Sequence, residues 1–78
     1  MKGATKLVII NGLCLDTIEH GDKASPVIMN LVNFGFDDTI ADGTLTIYTN
    51  EQYADYTKKT VIYVDEQDNI IDHHFIGK

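Results

Sequence analysis

The chain reads as a small α+β domain, an antiparallel sheet of about five strands (two hairpins plus one strand) with one principal helix packed on it. Three observations carry that expectation. An Asn11-Gly12 dipeptide separates two short apolar runs, Ser25-Pro26 opens a stretch of helical period, and residues 60–76 alternate around a turn rich in acids and amides. Seventy-eight residues allow a single domain, 1–78, and 44% hydrophobic with 23% charged residues is ordinary globular composition.

Residues 5–18 are expected to form the first hairpin. Leu7-Val8-Ile9-Ile10 and Leu13-Cys14-Leu15 flank Asn11-Gly12, a pair suited to a type I′ turn because both central positions need positive φ. In that register Ile10 faces Leu13 and Val8 faces Leu15. Residues 20–24 are a polar connection. Ser25 then reads as an N-cap with Pro26 at the first helical position. Val27, Leu31 and Phe34 fall on one helical face, with Ile28 and Val32 beside them. Gly35 is the expected left-handed residue after the helix, and Phe36 the residue that packs back.

Residues 37–43 read as a loop ending in the turn signal Asp42-Gly43, and residues 44–49 as a half-buried strand with Leu45 and Ile47 on one side. Residues 50–59 fit either one or two helical turns or an irregular crossover. The second hairpin turns at residues 65–69; with Val64 opposite Ile70, one face holds Val61, Tyr63, Ile71, His73 and Phe75 and the other Ile62, Val64, Ile70, Asp72, His74 and Ile76. Both hairpins carry apolar residues on both faces, and one short helix covers only one. The strands therefore curl into a small barrel, or the second face meets another copy or a partner; the second alternative is the one expected.

Twelve Asp and Glu stand against six Lys and no Arg, for a formal net charge of −6. Nucleic-acid binding leaves a basic, Arg-bearing patch, and anionic membranes attract the same cations. Neither direct nucleic-acid binding nor membrane association is expected; a basic protein partner is. The longest unbroken apolar stretch is Leu7-Val8-Ile9-Ile10, far short of the roughly 18 residues of a transmembrane segment. No basic start with an apolar core and cleavage site is visible, so the expected compartment is cytoplasmic. A lone Cys14 makes no internal disulfide, and reads as a small apolar residue in mid-strand.

The chemistry-bearing residues do not assemble into a motif. His73 and His74 are adjacent on a strand and so point to opposite faces; Asp72 and His74 share one, and a metal or small-molecule site would need His20 or another acid brought to them. Asp37, Asp38 and Asp42-Gly43 lack the ligand ladder of a calcium loop. No phosphate-binding loop, dinucleotide fingerprint, nucleophile elbow or zinc-protease helix occurs, and no cofactor is expected.

What remains is an acidic and aromatic surface. Glu51, Tyr53, Asp55 and Tyr56 cluster beside Tyr48, and Asp65, Glu66 and Asp68 crowd the second hairpin turn; these seven, Tyr48 aside, are the expected partner-binding residues. Tyrosine adds rigid contact area with one polar tip, and spaced carboxylates can imitate the phosphates that fill a basic groove. A solvated acidic face with tyrosines plugging the sheet edge is the plainer use of the same residues. In size and charge, though in no motif, the chain looks like the small inhibitor proteins that bacteriophages and mobile elements make against host machinery, anti-CRISPR proteins among them. That resemblance implies a non-enzymatic module on a nucleic-acid-handling host protein. The module is expected as a homodimer; the alternatives are a structural or self-assembling subunit using an apolar sheet face, and a metal or small-molecule binder using Asp72 and His74.

Overall fold

A computed structural model describes residues 3–48 and 57–77. Six elements follow in chain order: β1 (Lys6–Asn11), α1 (Ala24–Asn33), β2 (Asp37–Ala41), β3 (Thr44–Tyr48), β4 (Lys59–Val64) and β5 (Ile70–Ile76). The α+β class and the five-stranded sheet are as expected. The strand order is β2-β3-β1-β4-β5, with every neighbouring pair antiparallel except β1 and β3, which run parallel. The sheet is therefore mixed. No helix among the described residues is long and apolar enough to cross a membrane.

The first expected hairpin does not form. Asn11 is absent from the residues with positive φ, so the type I′ geometry is missing, although Gly12 itself lies at φ 90° and donates its N–H to the Lys58 carbonyl. Residues 13–18 leave the sheet, and β1 takes the centre between β3 and β4 instead. The buried Thr60 replaces the missing ladder: its hydroxyl accepts the Leu15 N–H at 2.7 Å and donates to the Leu13 carbonyl at 2.8 Å. Leu13, Leu15 and the buried Ile18 thereby turn onto the core. Cys14 is accordingly not in mid-strand; it is half-buried, with Sγ 3.7 Å from the Lys59 and Ile76 carbonyls.

The two-residue turn lies elsewhere. Asp42 (φ 53°) and Gly43 (φ 77°) both take the left-handed conformation and join β2 to β3, so the expected loop at residues 37–41 is an edge strand. The C-terminal hairpin is as expected up to Val64 opposite Ile70. There the register slips: Tyr63 pairs with Asp72, leaving Ile71 as an extra residue. This bulge moves residues 72–76 to the faces opposite those expected, with His73 now beside Ile62 and His74 beside Val61.

One sheet face carries the core. Val8, Ile10, Leu45, Ile47, Ile62, Val64 and Ile70 are buried there beneath Ile18, Ala24 and Leu31, with Val27, Ile28 and Phe36 partly buried against them. The helix runs ten residues and closes in the expected Schellman ending. Gly35 (φ 103°) donates to the Val32 carbonyl and Phe36 to that of Leu31. Its start differs. Lys23 is the N-cap without a side-chain bond, and Ser25 and Pro26 sit inside the first turn. Phe34, expected on the buried face, is 86% exposed, and Phe36 packs inward instead. The opposite sheet face presents the half-buried Leu7, Ile9 and Tyr63 and the exposed Ile76, which keeps two-sided apolar character.

Thr60→Val keeps shape and volume but strands the Leu15 N–H and the Leu13 carbonyl. The expected loss is about 1–3 kcal/mol by chemical denaturation. An unchanged midpoint would show that residues 13–18 are held by packing alone.

Candidate functional site

Of the seven expected partner-binding residues, Glu51, Tyr53, Asp55 and Tyr56 lie outside the described residues. The other three sit on the β4–β5 turn. Asp65 organises that turn from within: its Oδ1 accepts the N–H groups of Gln67 and Asn69, each at 2.9 Å, and its Oδ2 accepts the Asn69 amide at 3.2 Å. Backbone bonds from Asp65 to the Asn69 carbonyl and from Asp68 to the Asp65 carbonyl close the loop. Asp68, at φ 69°, takes the left-handed position such a loop needs.

Asp68 faces the start of α1. Its main-chain carbonyl accepts the Ala24 N–H at 2.9 Å and its carboxylate accepts the Ser25 N–H at 3.0 Å, so a residue 43 positions away caps the helix. Lys23 Nζ donates to the Gln67 carbonyl (3.0 Å) and Asn69 Oδ1 (2.7 Å), while Ile70 and residues 21–22 exchange two backbone bonds. Asp65 and Asp68 are thus bound into the fold, and Glu66 is the exposed acid of the three.

A different set of acids stands free. Asp37, Asp38 and Asp42 are exposed on the β2–β3 hairpin, and neither they nor Glu66 has a hydrogen bond or ion pair from its side chain among the described residues. No Lys occurs between residues 34 and 48. The sequence shows no calcium-loop ladder at Asp37, Asp38 and Asp42, and they belong to its acidic surface without being among the seven expected binding residues. Their usable signal was the Asp42-Gly43 dipeptide, which makes the segment a hairpin.

The three histidines lie in two places. His20 Nε2 lies 3.5 Å from Asp72 Oδ1, and its ring stands edge-on to His73 at 5.2 Å. His74 instead lies against Tyr63 at 5.8 Å, and among the described residues no group of three His, Cys, Asp or Glu side chains converges. Of the alternative set Asp72, His74 and His20, the structure brings Asp72 and His20 together. Concavities among the described residues include two. One of about 240 Å³ is apolar, between Leu15, Thr17 and the α1 residues Val27, Asn30, Leu31 and Phe34; the other, of about 330 Å³, lies at the sheet end between Lys6, Asp42 and Tyr63.

No family model, curated protein or solved structure matches the chain.

The Asn69 backbone N–H, with the Asn69 amide and the Gln67 N–H, holds the Asp65 carboxyl below its ordinary value of 3.8; Lys23 acts in the same direction, and desolvation opposes them. A carboxyl lowered in the folded state stabilises above its unfolded value of about 4 and loses that contribution as pH falls through the folded value. The stability difference between the native chain and Asp65→Ala is expected to shrink as pH falls from about 6 to about 2. A difference constant with pH would mean that the turn does not depend on the Asp65 charge.

Proposed function

We propose that the chain is a non-enzymatic acidic module that binds a basic protein partner, and that it acts in the cytoplasm as an inhibitor occupying a nucleic-acid-binding surface of a host protein, in the manner of anti-CRISPR proteins. The observation that carries this reading is the division of the carboxylates. Asp65 and Asp68 satisfy backbone donors within the fold, whereas Asp37, Asp38, Asp42 and Glu66 are exposed without a partner among the described residues. With a net charge of −6 and no Arg, unengaged carboxylates favour a cationic surface and steer its approach. A groove built for phosphates is such a surface. Glu51, Tyr53, Asp55 and Tyr56 remain part of the proposed contact on the strength of their sequence, and Asp65 and Asp68 serve it by fixing where Glu66 stands.

A second reading rests on the sheet face away from α1. Leu7, Ile9 and Tyr63 are half-buried there and Ile76 is 45% exposed, a surface on which a second copy could pack. Light scattering across a range of concentrations separates the two readings: a dimer that persists on dilution and in salt supports self-assembly.

The test of the main reading uses Asp37→Asn, Asp38→Asn, Asp42→Asn and Glu66→Gln together. Carboxamides keep the side-chain shapes, and Asn tolerates the positive φ of position 42. Capture from nuclease-treated lysate of the source organism is expected to recover a basic, nucleic-acid-handling protein on the native chain. Salt should release it by screening, and the neutralised variant should fail to recover it. Equal recovery by both chains would overturn the electrostatic reading.

A further inference from the structure

The two edges of the sheet are treated differently. The β5 edge is blunted at both ends: Ile70 exchanges backbone bonds with Gly21 and Asp22, a bridge joins Lys23 to Asn69, and Cys14 Sγ approaches the Ile76 carbonyl. The β2 edge has none of this. All five of its residues are exposed, and among the described residues no backbone bond is made on its outer side. An unpaired strand edge offers a row of N–H and C=O groups to any extended segment that can lie beside it.

The side chains on this edge choose among occupants. Asp38 and Ile40 point to the core side of the sheet, in register with Ile47 and Leu45, and Asp37, Thr39 and Ala41 to the other. Ile40 is 75% exposed although its neighbour Leu45 is buried, so the covering layer stops short of β2. A second copy is a poor occupant. Pairing β2 with itself would bring Asp37, Asp38 and Asp42 of both copies along one seam between two chains of net charge −6, and like charges across a strand pair are destabilising.

We infer that the open β2 edge takes up an extended basic segment of the partner protein as a sixth strand, with Lys or Arg side chains on Asp37, Asp38 and Asp42 and an apolar side chain beside Ile40. Main-chain bonds supply the affinity, and an acid on each face with Ile40 beside Asp38 supplies the choice of sequence. This inference rests on the basic-partner reading above and gives it a place and a geometry.

The probe is a short capped peptide with two adjacent lysines, which project to both faces, and a valine two positions from one of them, titrated into isotopically labelled protein and followed by amide chemical shifts and hydrogen exchange. The expected result is shifts and slowed exchange centred on residues 37–41. Asp37→Asn with Asp38→Asn is expected to weaken binding by roughly three- to ten-fold, the range for two exposed ion pairs. A peptide N-methylated at alternate amides, unchanged in charge, is expected not to bind. Equal binding by the N-methylated peptide, or no binding at all, would overturn the edge as a docking site. Shifts confined to Glu66 and its neighbours would overturn the edge while upholding the basic-partner reading, which the salt-washed capture decides independently. Slowed exchange on β2 that grows with protein concentration in the absence of peptide would replace the basic segment with a second copy.

Discussion

Helix α1 begins beside the turn of a hairpin that comes more than forty residues later in the chain, and the junction between them is the constraint on which the rest of the fold depends. A ten-residue helix does not persist alone in water. Its first N–H groups have no acceptor within the helix, and its own N-cap residue supplies none. Asp68 supplies two, from its carbonyl and its carboxylate, and Lys23 ties the same turn down through Gln67 and Asn69. The helix is thereby set over Val8, Ile10, Ile62 and Ile70, where Ala24 and Leu31 complete the core. The turn can do this because Asp65 has already organised it from within.

The same junction sorts the acidic residues by use. Carboxylates near residues 65–68 are consumed by backbone donors, which leaves the β2–β3 hairpin as the most acidic part of the described surface without internal partners. It also helps fix which sheet edge stays open. The connection through residues 20–23 that brings α1 to the turn lies along β5 and occupies its end, while β2, reached only after the helix has ended at Gly35, has no backbone partner on its outer side among the described residues. A partner surface on this protein follows from where the fold spends its hydrogen bonds.

What was legible in the sequence was local. The C-terminal hairpin, the strand at residues 44–48 and the Schellman ending depend on residues close together in the chain, and all three were readable from alternation, turn chemistry and a glycine. The partners of β1 were not. Asn11-Gly12 and Asp42-Gly43 are equally good turn signals, and what separates them is Thr60, whose hydroxyl takes the backbone bonds that a strand at residues 13–18 would have made. The parallel pairing of β1 with β3 joins segments more than thirty residues apart, and no short-range pattern encodes it. The bulge at Ile71 was equally hidden, since alternation continues through it. At the site, composition identified the acids but not their employment: an Asp bonded to backbone donors and one facing water are the same letter.

The division of carboxylates is tested most directly by chemical denaturation of two doubly neutralised chains side by side, Asp65→Asn with Asp68→Asn and Asp37→Asn with Asp38→Asn. Each removes two negative charges, so relief of general repulsion is the same in both. The account predicts that the first pair lowers stability, because each Asn keeps one acceptor oxygen but loses the charge that strengthens its bonds to backbone N–H groups, and that the second leaves it unchanged within about 0.5 kcal/mol. Equal midpoints for the two chains would contradict it, because Asp65 and Asp68 would then hold no more of the fold than the acids left to solvent.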